Sequence, residues 1–192
     1  MPRDPLGPEC GEAGRVYAYA IKRLGRNVRP EGGEVLDAEA MCALWSALLA
    51  GRYTPAQEAA LLMGLLVHGE SAGMLAACGK ATRDFVAAVP AESPVVVLPC
   101  LGAARKHASL APLLALRLQA LGIGVLIVAA GPPARSSAGV LRALGRGPSP
   151  SADRAAADLR RDRFAWIELA ALAPALARLV ARRTELGFRN TA

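Results

Sequence analysis

Two short apolar runs, with a basic loop and a helix between them, constrain this chain most. Val95 to Leu98 is closed by Pro99, and a second run covers Ile123 to Ala129. Runs of this length and composition predict buried strands of a parallel sheet. Between them stand Gly102, the tripeptide Arg105-Lys106-His107, and an apolar helix expected from about Ala108 to Gly122. The result is a strand–loop–helix–strand unit, long enough for a right-handed crossover. In such units ligands sit at the carboxyl end of the strand, against the start of the next helix. Two fixed positive charges and one imidazole at that place suit an anion, most naturally a phosphate. A solvated basic loop on an ordinary α/β protein fits the same spacing equally well.

The segments around this unit set the organisation. Residues 1–11 carry three prolines and are expected to be disordered. Residues 12–89 read as a helical domain of four short helices. The first runs from Glu12 to Leu24. Asp37 caps a second that ends at Ala50. Thr54-Pro55-Ala56-Gln57 forms a capping box for a third, ending at His68, and Ser71 caps a fourth. The second and third helices are apolar on more than one face. Leu44, Leu48, Leu61, Leu65 and Leu66 are expected to need cover from a second chain. Residues 94–168 form the α/β part. Within it, Ser136-Ser137 opens a helix, residues 146–151 (RGPSPS) read as a flexible loop, and Asp153 to Asp162 reads as an exposed charged helix. Phe164 to Ile167 is a third strand candidate. One helix from Leu169 to Leu186 is expected to return to the helical domain.

Charge is unevenly placed. Residues 1–98 hold 9 Lys/Arg and 11 Asp/Glu, giving −2, whereas residues 99–192 hold 14 and 5, giving +9. The excess begins at the basic loop, and a field of this kind suits a polyanion such as nucleic acid. Only three of the 23 cationic residues are Lys, so an arginine-rich composition accounts for the same excess without any binding role.

Several chemistries find no support. There is no GxGxxG, Walker loop, HExxH or GxSxG pattern. Two histidines, His68 and His107, cannot build a multi-histidine metal site, and His68 reads as a packing residue at a helix end. The four cysteines are far apart in sequence, so neither zinc nor a disulfide framework is expected. No carboxylate pair stands at a strand end, so no metal and no other cofactor is expected. No run reaches the length of a membrane span, and the first residues lack an apolar stretch; a cytoplasmic protein without a signal peptide is the expectation.

The segment DAEAMCALWSALLAGRYTPAQEAALLMGLLVHGES resembles the helical domain of the anthranilate phosphoribosyltransferase family, at Leu49, Gly51, Gln57, Leu61, Leu62, Met63, Gly69 and Glu70. The ending ARRTELGFRNTA is similar to that family's closing segment. The resemblance implies an α/β fold class: an N-terminal all-helical domain plus an incomplete parallel-sheet α/β domain. It also implies a homodimer formed through the helical domain. The family's diphosphate loop, GTGGD, is replaced here by CLGAARKH, and its KHG by Ala129-Ala130-Gly131. The stretch AARKHASLAPLLALRL instead resembles the noncatalytic YbiB-like branch, glycosyl transferase family 3 relatives that bind nucleic acid through a basic groove. Matching positions are Arg105, Lys106, Leu110, Pro112, Leu113, Leu114 and Leu116. A basic stretch of that branch corresponds to Ile21 through Asn27. The resemblance therefore implies DNA or RNA as partner, with Lys22, Arg23, Arg26, Arg105, Lys106, His107 and Arg135 at the phosphates and no catalytic residue. The alternative is a phosphoribosyltransferase acting on a small aromatic amine or nitrogenous base.

Overall fold

The computed structural model describes residues 11–25, 36–101, 108–130 and 135–187, without the side chains of Arg183 and Thr184. The expected disorder of residues 1–10 falls outside them. The chain divides into two compact units. One comprises the residues up to Phe85 together with those from Ala181 onward; the other is Val86–Val180.

The first unit contains α1 (Glu12–Leu24), α2 (Ala38–Leu49), α3 (Pro55–His68) and α4 (Ala72–Thr82), then a 3-10 turn at Arg83–Phe85. Local chemistry sets the starts. The Asp37 carboxylate accepts from the Ala40 N–H at 2.8 Å. Thr54 and Gln57 close the capping box, with Pro55 at the first helical position. Ser71 Oγ accepts from the Met74 N–H at 3.0 Å. These bonds satisfy backbone donors that a helix start otherwise leaves orphaned. Gly69 ends α3 at φ 77°, a conformation that carries a steric cost for any residue with a Cβ.

The apolar positions turn inward. Met41, Leu44, Trp45, Leu48, Leu61, Leu62 and Leu65 are fully or nearly fully buried. This corrects the expectation that Leu44, Leu48, Leu61 and Leu65 need a second chain. α2 packs against both α1 and α4, and α3 packs against α1, so their several apolar faces are used within the unit. Of that set only Leu66 stays exposed, beside Met63 and Val67. At Gly64 an added Cβ would meet the Leu24 side chain at 3.1 Å, so glycine permits the close approach of α3 to α1. At the same junction His68, buried, donates from Nε2 to the Leu24 carbonyl at 2.7 Å. The Trp45 indole N–H is satisfied by Thr82 Oγ1 at 3.0 Å. Glu58, buried on α3, receives the Arg182 Nε at 3.2 Å. Arg182 also pairs with Glu185.

The second unit holds β1 (Val95–Cys100), α5 (Ala111–Ala120), β2 (Gly124–Ala129), α6 (Ser137–Ala143), α7 (Ala152–Asp162), β3 (Phe164–Glu168) and α8 (Leu169–Leu172). It also holds the first part of α9 (Pro174–Leu186). The strands are all parallel, in the order β1-β2-β3. β2 and β3 are buried as such strands should be. On one face Ala115, Val125, Ile127, Ala129, Ala138, Leu141, Phe164 and Trp166 form the core, with Leu98 and Cys100 packed against it.

Four expectations need correction here. β1 is not a buried strand: as the sheet edge it leaves Val96 and Val97 exposed, and it runs on through Pro99 to Cys100. Ala130 N–H donates to the Cys100 carbonyl at 3.4 Å. Alternation along the strand then directs Val96, Leu98 and Cys100 at β2, and Val95, Val97 and Pro99 outward. Proline at an outward position removes no bond from the sheet, which is why the strand does not stop there. The helix after the basic loop begins at Ala111 rather than Ala108. The long helix from Leu169 is broken: Ala173 leaves helical geometry (φ −147°, ψ 74°) and Pro174 starts α9. A proline disfavours helical geometry in the residue before it. Residues 146–151 are pinned rather than loose. Ser149 is buried, its N–H donates to the Trp166 carbonyl at 2.7 Å and its Oγ to Asp158 at 2.8 Å. That segment bridges β3 at Ile167, along the edge opposite β1.

Candidate nucleic-acid interface

The carboxyl ends of β1 and β2 lie side by side, in register at Cys100 and Ala129. The basic tripeptide follows β1 in sequence and leads to α5, whereas Arg135 leads from β2 into α6. Hydrogen bonds tie these two connections together. The Ser109 N–H donates to the Arg135 carbonyl at 2.9 Å, and Ser109 Oγ lies 2.7 Å from Ser137 Oγ. Ser136 caps α6 by accepting from the Gly139 N–H at 3.2 Å. Ser136 and Ser137 are both buried. The N-cap residue of α5, Leu110, offers no side-chain cap, but the Ser109 hydroxyl accepts from the Ala111 N–H at 3.4 Å, and Pro112 stands in the first turn. The dipole of α5 favours negative charge at the same end of the sheet.

The charge of this region is one-sided. Residues 99–152 contain Arg105, Lys106, Arg117, Arg135, Arg142 and Arg146 and no Asp or Glu. All five acidic residues after position 98 come later, on α7, β3 and α9. There four of them, Asp158, Asp162, Glu168 and Glu185, engage arginines. Asp158 pairs with Arg154 at 3.1 Å and Arg161 at 3.2 Å, and Arg161 also reaches Asp162 at 2.6 Å. The Arg161 guanidinium holds the Asp162 carboxyl below the usual carboxylate range. Arg142 pairs with Glu168 and lies over Trp166, 5.3 Å from the ring centroid. Arg146 lies over Phe164 at 4.9 Å. Such stacked guanidinium groups are partly spent on the fold.

The sequence-predicted residues fare unequally. Arg26, Arg105, Lys106 and His107 lie outside the described residues. Lys22 and Arg23 are exposed on the last turn of α1, in the first unit. Arg23 lies over the Tyr19 ring at 5.2 Å and donates to its hydroxyl at 3.0 Å. Arg135 is exposed at the start of α6, in the second unit. Sequence reasoning took Ser136-Ser137 only as a helix start and passed over Ser109. The hydroxyl pair joins residues 28 positions apart, and its one sequence signal is a serine pair directly after an arginine. Among the described residues, no group of three His, Cys, Asp or Glu side chains is placed to hold a metal ion. Nor is any helix among them long and apolar enough to cross a membrane.

A four-helix unit and a three-stranded parallel sheet of this kind occur together in the fold of anthranilate phosphoribosyltransferase. The enzyme from Thermus thermophilus superposes with a TM-score of 0.76 at 25% identity, over 91% of this chain and 51% of its own. The Saccharomyces cerevisiae enzyme, solved in complex with PRPP and Mg, gives 0.73 at 12% identity, over 92% and 52%. Residues 19–86 match the glycosyl transferase family, helical bundle domain. The uncharacterized protein YbiB of Escherichia coli is 27% identical over 181 residues, 92% of this chain and 56% of YbiB. The chain is a YbiB-like member of the anthranilate phosphoribosyltransferase fold. It spans about half the length of these relatives.

Proposed function

We propose that this protein binds nucleic acid through the phosphate backbone, with little base readout and without phosphoribosyl transfer. The observation that carries this reading is the run of residues 99–152, with six cationic side chains and no carboxylate, spanning both strand-end connections. DNA is the first candidate, and RNA shares the chemistry. The protein acts in the cytoplasm, in keeping with the free thiols Cys42, Cys78 and Cys100. It forms a homodimer through the helical unit, where Met63, Leu66 and Val67 present an exposed apolar stretch of α3.

The test is a titration against single-stranded DNA, duplex DNA and RNA over a series of salt concentrations. Each neutralised phosphate adds a slope of roughly −0.7 to −0.9 to log K against log salt. Removing Arg105 and Lys106 together should flatten that slope by about 1.5 to 2 and weaken all sequences alike. Removing Arg160 and Arg161 should matter much less, because Arg161 is already held by Asp158 and Asp162. Equal losses from both pairs would show that general charge binds and that the loop is no site.

One observation favours a second reading as a phosphoribosyltransferase: the Ser109–Ser137 hydroxyl pair, at the strand ends of a fold shared with such enzymes. Calorimetric titration with phosphoribosyl diphosphate separates the two readings. Micromolar, Mg²⁺-dependent binding would replace the first by the second.

A further inference from the structure

The three strands end level with one another. Cys100 stands in register with Ala129, and Ala129 with Glu168. Glu168 therefore brings a carboxylate to the rim where the connections after β1 and β2 carry cationic charge alone. It occupies the N-cap position of α8 but makes no side-chain bond to that helix. Its carboxylate turns instead to the Arg142 guanidinium. Arg142 belongs to the cationic run of residues 99–152 and rests over the Trp166 ring. The pair is open to solvent: the Arg142 side chain is 47% exposed and that of Glu168 38%. Among the described residues Arg142 has this one carboxylate partner, whereas Arg161 has two.

We propose that Glu168 is a built-in competitor for the polyanion, holding Arg142 until a phosphodiester group takes the guanidinium from it. The inference rests on the nucleic-acid reading above and adds a restraint on that same face. Carboxylate and phosphate oxygens are alternative partners for the planar guanidinium fork. An exposed ion pair contributes little to stability, so exchanging one oxyanion for the other costs little. Contact with the Trp166 ring keeps the guanidinium against the sheet whichever partner it has. The paired residues of α7 differ: Arg161 is shared between Asp158 and Asp162, so a phosphate there would have two carboxylates to displace. At Arg142 it has one. Because Glu168 caps nothing, its carboxylate can be given up without unwinding α8.

The experiment titrates the whole chain with dye-labelled single-stranded DNA, read by fluorescence anisotropy at one low salt concentration. Glu168→Gln keeps the shape of the side chain and removes its charge. It should tighten binding about two- to fivefold, the worth of an exposed ion pair expressed as a ratio. Glu168→Ala should act in the same direction. Asp153→Asn makes the same change of charge at an exposed position of α7 and should tighten binding distinctly less. Arg142→Met keeps an apolar stem over Trp166 and removes the contested group. In that background the gain from Glu168→Gln should shrink by about twofold or more, which is the coupling between the two residues. Circular dichroism checks that each variant is folded. Equal gains from Glu168→Gln and Asp153→Asn, or a Glu168 gain undiminished in Arg142→Met, would overturn this inference and leave nucleic-acid binding standing. A wild type that binds no DNA at low salt would overturn the nucleic-acid reading and this inference with it.

Discussion

Ser149→Ala tests whether the segment between α6 and α7 is anchored as described. The substitution keeps the backbone bond from residue 149 to the Trp166 carbonyl and removes only the 2.8 Å bond from Oγ to Asp158. A hydrogen bond to a charged group contributes about 1.5 to 3 kcal/mol. Asp158 keeps Arg154 and Arg161 after the change, so it is not orphaned, and the lower end applies. The expected loss is therefore about 1.5 kcal/mol, or roughly 3 to 6 °C in melting temperature for a chain of this size. Urea unfolding followed by circular dichroism measures it. Against an Asp158→Ala background the same substitution should cost less than about 0.5 kcal/mol, since the partner is already gone. Equal costs in the two backgrounds would refute the bond as the anchor. No cost at all would return the segment to the loose loop that its composition suggests.

Burial, with Tyr17 second, pushes Tyr53 up to about 12, and burial, then Cys42 and Glu70, pushes Cys78 up to about 12. Both stay neutral in the folded chain while the unfolded chain ionises, so stability is full below about pH 9 and falls as pH rises toward 12; a melting temperature constant from pH 8 to about pH 11 would contradict this. Homodimerisation through α3 predicts that Leu66→Glu lowers the assembled mass, and a wild type that is monomeric at tens of micromolar would exclude it. Cys78 should also react with thiol reagents more slowly than Cys42, because it is the more buried of the two; equal rates in the native protein would oppose the packing of α2 on α4.

How far the sequence could be read depended on the range of the interactions involved. Thr54, Pro55 and Gln57 act within one turn, and they place the start of α3 without knowledge of anything else. The same holds for Asp37 and Ser71. Pro174 carried a legible break that the run of Ala and Leu around it obscured. The edge position of β1 was not legible, since VVVL and IVA are equally apolar and only the strand order tells them apart. Ser149 sits among Gly, Pro and Ser, and its anchors, Asp158 and Trp166, are contributed by elements later in the chain. Leu44 and Leu61 looked surplus because a single helix does not reveal how many neighbours it has. At the site, the basic loop was visible as charge. The Ser109–Ser137 contact exists only once two connections from different strands meet.

The two tryptophans fall one to each compact unit. Trp45 sits inside α2 with its indole N–H on Thr82, and Trp166 lies in β3 beneath the Arg142 guanidinium with its N–H on the Arg146 carbonyl at 3.1 Å. They are the only two in the sequence. The chain therefore carries two intrinsic fluorophores that report on different parts of it. With Trp45→Phe the emission follows the sheet alone, and with Trp166→Phe it follows the helices alone. Loss of signal at the same urea concentration in both would mean that the units melt as one. Separate midpoints would give each unit its own stability, and would show which of them a bound polyanion protects.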